Sequence, residues 1–234
     1  MSGGIGPCSD IHLQKEKEEQ TAAVTEVAGK PARRGFLSLR QLNVLAVMMV
    51  LSASGMVSME DLGFVVFSII YLYFISKAAF PQTTPPWTGS VFGQNNRTLR
   101  LYMLTSAVIG LLLPVAYIFE GIVEGDKEGI KAAVPHLFLL GSQVFMEGVA
   151  STERFSLPVR VFVPVFYNAK RIFTLAEWLR SEISKESSGR RLYVGRGLAV
   201  ANMAFWCFNL FGFLVPVYLP KAFKIYYSNH KHNN

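Results

Sequence analysis

The sequence predicts an all-α, polytopic helical membrane protein with about five transmembrane helices plus one interfacial amphipathic helix. Three observations predict it. Hydrophobic residues fill 51% of the 234 positions. Charged residues fill only 17%, against roughly a quarter in a soluble domain. Those charges are also gathered into blocks, leaving charge-free runs near the ~20 residues a helix needs to cross about 30 Å of hydrocarbon.

Residues 1–35 read as a disordered cytosolic tail. They are Gly-rich at the start, carry mixed charge from Lys15 to Glu19, and show no sustained apolar stripe. No signal-peptide core is present among them, and Ser2 stands where the myristoylation pattern needs a glycine. The membrane domain follows as residues 36–224. Lys30, Arg33, Arg34 and Arg40 introduce a first span at 41–59, whose Ser52, Ala53, Ser54 and Gly55 favour close helix approach. Glu60 and Asp61 mark a turn, and a second span at 62–80 completes a hairpin.

Prolines, glycines and paired asparagines make 81–96 a loop. A third span at 101–119 has Ser106 and Gly110 four apart as a packing face, and Pro114 should kink it. An acidic loop at 120–131 leads to a fourth span, 132–150. Residues 155–164 hold Pro158 and Pro164 and are too short and too charged to cross. From 165 to 183, Val165, Ala169, Ile172, Ala176, Leu179 and Ile183 recur at helical spacing opposite Lys170, Thr174, Glu177 and Ser181. That pattern predicts an amphipathic helix in the headgroup region. The last span, 197–219, is charge-free, and 225–234 is a polar tail.

Orientation follows from Lys and Arg in short loops. The basic N-terminal flank, the two arginines near 97–100 and the basic region 152–196 put the N-terminus in the cytosol. Five spans then carry the C-terminus across, against the pull of Lys221, Lys224 and Lys231. Either the basic region outweighs those lysines, or 155–164 dips into the membrane with its neighbours. The net charge of +7 does not imply nucleic acid, because the basic residues flank apolar runs.

Several blocks carry a resemblance: FLSLRQLNVLAV at 36–47, SASGMVS at 52–58, EGDKEGIKAA at 124–133, SQVFMEG at 142–148, RFSLPVRVFVPVFYNAKRIFT at 154–174 and the long block 190–224. The chain resembles a plant family of uncharacterised small multi-pass membrane proteins, defined by a domain of unknown function. The resemblance implies integral membrane location. It implies no catalytic residue, cofactor or substrate.

The chemistry-bearing residues are few. His136, Gln143 and Glu147 are separated by 7 and 4 positions, so they share one face of the fourth span. Asn202 and Asn209 on the last span are expected to face that stripe and hydrogen-bond to it. Lys170, Arg171, Arg180, Arg190 and Arg191 are candidates for binding anionic lipid headgroups or a cytosolic partner. No catalytic or phosphate-binding motif appears, Cys8 and Cys207 have no metal-ligand spacing, and no cofactor is implied. The expected function is a non-enzymatic scaffold or adaptor of the endomembrane system, in the ER or secretory pathway rather than the plastid, with the bilayer and other membrane proteins as partners. The alternatives are a small transporter or proton-coupled carrier working through the stripe, and a membrane-embedded lipid-modifying enzyme. The sequon Asn96-Arg97-Thr98 tests the orientation. It is expected to stay unmodified in cells, so glycosidase treatment should leave electrophoretic mobility unchanged.

Overall fold

Serine and glycine decide where the first helix stops. The computed structural model describes residues 39–82, 89, 91–92, 97–151, 155–186 and 189–232. The tail expected at 1–35 and Asn96 of the sequon lie outside these residues. Helix α1, Leu39–Ala53, ends where Ser52 and Ser54 turn their hydroxyls onto the carbonyls of Met48 (2.8 Å) and Leu51 (2.6 Å). Gly55 then takes φ +69°, a left-handed conformation that costs a side-chain-bearing residue free energy. Ser58 restarts the chain as the N-cap of α2, Met59–Ala78, accepting the backbone N–H of Asp61 at 3.1 Å. The span expected at 41–59 is therefore shortened to 15 residues, roughly 22 Å of helix. Its small-residue cluster terminates the helix rather than packing it.

Helix α3 runs Arg97–Glu124 and contains a π-helical turn, Val108–Leu112. Pro114 explains the turn. In an α register the Gly110 carbonyl would receive the N–H of residue 114, which proline lacks. The ladder widens instead, with the Leu113 N–H reaching back to the Val108 carbonyl. Gly125 ends the helix at φ +75°. Asp126 caps α4, Lys127–Ala150, through the Gly129 N–H at 2.8 Å.

Helix α5, Leu157–Ser184, overturns two expectations at once. The segment 155–164 is not separate from the amphipathic segment 165–183, because Ser156 and Pro158 start one continuous helix of 28 residues. Nor is the apolar face of 165–183 the buried one. Phe173 and Ile183 are exposed, whereas Tyr167, Asn168, Arg171, Leu175, Trp178 and Glu182 are fully buried. The helix turns Asn168, Arg171 and Glu182 inward beside Leu175 and Trp178, a stable choice for polar groups when hydrocarbon rather than water surrounds a bundle. Helix α6 comprises Arg190–Cys207, a π-helical stretch Phe208–Tyr218 around Pro216, and Leu219–His232, so most of the expected polar tail is helical.

Among the described residues there are six helices and no strand. Four are long and apolar enough to cross a membrane: Met59–Ala78, Arg97–Glu124, Lys127–Ala150 and Arg190–Asn229. Helix α1 contributes only the shorter apolar piece Gln41–Ala53. Helices α4 and α5 form the centre, with Phe138, Leu139, Val159, Val163 and Tyr167 in the main core. Phe67, Ile70 and Phe74 on α2, and Leu101, Leu104 and Leu112 on α3, point outward and are exposed. Across the bundle, the Ser68 and Tyr167 hydroxyls meet at 2.9 Å, and Lys170 pairs with the buried Asp61 at 3.0 Å. Ser156 donates to the Phe80 carbonyl and Tyr226 to that of Pro81, tying α2, α5 and α6 at one end.

The small face expected on the third span is used where Gly110 meets Trp206. A Cβ on Gly110 would lie 2.6 Å from the Trp206 Cζ2, and the buried indole, stacked on Arg171, would have to shift. Gly110→Ala should cost about 1–3 kcal/mol, seen as a lowered thermal midpoint in detergent. Gly63→Ala, where a Cβ meets nothing within 4 Å, should not lower it.

Candidate functional site

The stripe on α4 is buried in the bundle, and its three members take different partners. His136 is fully buried, and its Nε2 donates to the Gly110 carbonyl at 2.8 Å. A carbonyl only accepts, so Nε2 carries the hydrogen and Nδ1 the lone pair. The imidazole thereby supplies to Gly110 the hydrogen that Pro114 cannot. One α-helical turn beyond Leu139, Gln143 accepts from Arg171 Nη2 at 2.6 Å and donates through Nε2 to Glu147 Oε1 at 2.7 Å. Because a guanidinium only donates and a carboxylate only accepts, the amide has one workable orientation. The result is a directed relay from Arg171 through Gln143 to Glu147.

Arg171 was expected at a lipid or partner surface. It is instead fully buried, with its guanidinium 4.1 Å above the Trp206 ring. A planar, weakly hydrated cation stacked on an indole is the arrangement for which arginine is suited and lysine is not. The Nε and Nη1 atoms have no hydrogen-bond partner among the described residues.

The asparagines on α6 do not bond to the stripe. Asn202 donates to the Leu198 carbonyl at 3.0 Å and accepts from the Trp206 indole at 3.3 Å, both within its own helix. Asn209 accepts from the Tyr102 hydroxyl of α3. The physical reason is Trp206: set four residues after Asn202, it occupies the space between α6 and the stripe and takes the Arg171 cation on its face. Asn168 of α5 was not singled out by sequence; its amide donates to the Trp206 carbonyl at 3.2 Å.

Gln143, Glu147 and Asn209 do come together as walls of one cavity of about 540 Å³. Its polar wall includes Arg160 of α5 and Tyr102, while Phe92, Leu140, Trp206, Phe213 and Leu214 supply much of the apolar surface. The volume is that of an ordinary small-molecule site. Arg160 is held in place by its Nε, which donates to the Phe155 carbonyl at 2.9 Å.

The comparisons with known proteins bear on the whole bundle rather than on the cavity. The model of a domain of unknown function, DUF7733, matches residues 37–227. The chain belongs to that family. No curated protein and no solved structure is detectably similar to it. The DUF7733 domain takes in helices α1 to α5 and most of α6, so the cavity and its support are features of the domain itself.

At the other end of the DUF7733 bundle lies a second polar cluster. Arg191 donates to Asp126 at 2.8 Å and to the Tyr117 carbonyl at 3.2 Å, and its guanidinium stacks 4.3 Å from the Tyr117 ring. Arg190 pairs with Glu120 at 2.7 Å. Glu182, fully buried, accepts from the Tyr117 hydroxyl at 2.9 Å and from Lys185 at 2.8 Å. Of the basic residues read from sequence as headgroup contacts, Lys170, Arg190 and Arg191 thus hold carboxylates of the same chain, and Arg180 is exposed.

Asp126 gives this cluster a pH dependence. Burial raises its pKa, but the Gly129 N–H, Arg191 and Lys185 outweigh burial and hold the carboxyl below its ordinary 3.8. A depressed folded-state value means that the contribution is full above the ordinary pKa and is lost as pH falls through the folded one. Acidification from about pH 5 to pH 3 should therefore lower the thermal midpoint. Asp126→Asn should start lower at neutral pH and show a smaller acid-induced drop. At the relay, Gln143→Leu strands the buried Arg171 and should cost about 3 kcal/mol, with Arg171→Met in the same chain recovering most of it. A double-mutant cycle of unfolding free energies measures both.

Proposed function

We propose that this chain is a multi-pass integral membrane protein that holds a small amphiphilic molecule inside its helical bundle and acts as a carrier for it. One observation supports this above the others: the cavity of about 540 Å³ has a charged and amide-lined wall beside an aromatic and aliphatic one. The same space meets charged and amide groups on one side and rings and aliphatic chains on the other, which suits an occupant of both characters. Lipid chemistry is less well supported. The Ser151 hydroxyl on the cavity wall already donates to the Glu147 carbonyl, which is not the arrangement of an activated nucleophile.

We further read α5 as a sixth crossing. It is long enough, Arg171 and Glu182 turn inward while Glu177 and Arg180 stay exposed, and its ends meet the ends of neighbouring helices. An even number of crossings leaves both termini in the cytosol and removes the conflict between five spans and Lys221 and Lys224. The basic residues divide between the two ends, with Lys127, Lys131, Arg180 and Arg196 also at the far one. Lys77, Arg97, Arg100, Arg160, Lys221 and Lys224 belong to the cytosolic end, whereas Arg190, Arg191 and Lys185 at the far end are matched by Glu120, Asp126 and Glu182. The ER or secretory pathway of a plant cell is the compartment we assign, with other membrane proteins as further partners.

The test is native mass spectrometry of protein released from membranes in a mild, neutral detergent. The unaltered chain should retain an amphiphile, and Val144→Trp, which fills the cavity from its wall, should lose it with a thermal midpoint within a few degrees. A chain that retains nothing and takes up no added lipid, or a Val144→Trp variant that retains as much as wild type, overturns the carrier reading.

A further inference from the structure

The proposed site has a polar wall whose groups are oriented, and their orientation selects a ligand chemistry. Asn209 is fixed by the Tyr102 hydroxyl, which donates to its amide oxygen, so its Nδ2 hydrogens are what the side chain offers to the cavity. Gln143 is fixed more firmly. Arg171 holds its oxygen and Glu147 takes one amide hydrogen, which leaves the second N–H as the group it can present to a ligand. Arg160 lines the same wall and only donates. Three of the polar side chains on this wall are therefore donors by construction.

The charges agree with that count. Glu147 and Arg160 line the cavity, and Arg171 backs it through Gln143, giving two cations and one carboxylate. Cations thus outnumber carboxylates among the charged groups on and behind this wall, which favours a negatively charged head over a positive one. Lys221 lies 4.5 Å over the ring of Phe92, itself a lining residue, so a further cation stands beside the cavity wall. The remaining lining, with Trp206, Phe213 and Leu214, suits an aliphatic chain.

We infer that the cavity takes an amphiphile with an oxyanion head, a carboxylate or a phosphate, seated on Arg160, Asn209 and Gln143, with its chain along the aromatic wall. This rests on the carrier reading above and narrows it. The Arg171–Gln143–Glu147 relay is positioning machinery: it holds the Gln143 donor in place and balances Glu147, so that this carboxylate does not repel the head.

The test offers the full-length protein, in neutral maltoside detergent, an equimolar mixture of chain-matched amphiphiles: a fatty acid, a phosphatidic acid, a lysophosphatidylcholine, an alkyltrimethylammonium and an alkyl glucoside. Native mass spectrometry reads which is retained. The fatty acid or the phosphatidic acid should dominate, and the preference between those two names the head as carboxylate or phosphate. Arg160→Gln should weaken retention of the acid about tenfold and Asn209→Leu several-fold, whereas Lys224→Gln on the exposed face should leave it unchanged. The comparison of head groups on the unaltered chain decides the matter even where a variant fails to fold. Equal retention of the ammonium or glucoside compound overturns the oxyanion inference and leaves the carrier reading standing. Retention of the acid that Val144→Trp does not reduce places it outside the cavity and overturns both.

Discussion

Removing the Arg171 guanidinium from water costs several kcal/mol even after relaxation, and the centre of the bundle is arranged to offset that cost. Helix α4 contributes the Gln143 carbonyl and, beyond it, the Glu147 charge, while α6 contributes the face of Trp206. Each of these would be a poor choice alone. An amide oxygen carries no net charge, an indole face is a weak acceptor, and a carboxylate at one remove is partly screened. Together they give a planar cation an acceptor, a charge behind it and an aromatic face, and fix α4, α5 and α6 against one another. The same set of contacts decides where Trp206 sits, and Trp206 in turn decides that Asn202 bonds within its own helix and that Gly110 must lack a side chain.

A second constraint comes from proline. Pro114, Pro135, Pro164 and Pro216 stand within or at the start of helical segments in four of the six helices described. In hydrocarbon no water is available to take a freed carbonyl, so each proline needs a local remedy. Around Pro114 and Pro216 the ladder widens to π spacing. Pro164 lines the cavity. The irregular backbone is thus concentrated around the polar centre and the cavity, where side chains are present to satisfy it.

Much of the fold was legible in the residues because hydrocarbon imposes simple rules. Charge-free runs marked the helices starting at Met59, Arg97 and Lys127 to within about five positions, and the middle of the one starting at Arg190, which extends well beyond 197–219 at both ends. The failures have a common cause. Helix α5 carries Arg160, Lys170, Arg171, Arg180 and two glutamates, Glu177 and Glu182, and its polarity argued for a surface position. The rule that polar residues face outward belongs to water, and in a membrane bundle those far from the headgroups turn inward beside the apolar core. The i, i+4 spacing of Gln143 and Glu147 did place the two on one face, where they hydrogen-bond. Arg171 and Asn168 could have been found by asking which face of 157–184 would be intolerable against lipid. The stop at Ala53 was readable from Ser-Ala-Ser-Gly, had those residues been weighed as helix enders rather than as a packing surface. The partner of Asn209, Tyr102, had no local signal, since 107 positions separate them.

The bond from His136 to Gly110 has a consequence for how the chain is made. Until α4 is present, α3 carries a carbonyl whose usual donor has been deleted, and leaving it bare in the bilayer is unfavourable. The two helices are joined only by Gly125 and Asp126, so the missing hydrogen follows almost immediately behind the group that needs it. They suit entry into the membrane as a pair, with the histidine closing the defect as the pair forms. A chain severed or lengthened at that turn would hold α3 exposed for longer, and its handling by the insertion machinery, rather than its final stability, would be the first thing to suffer.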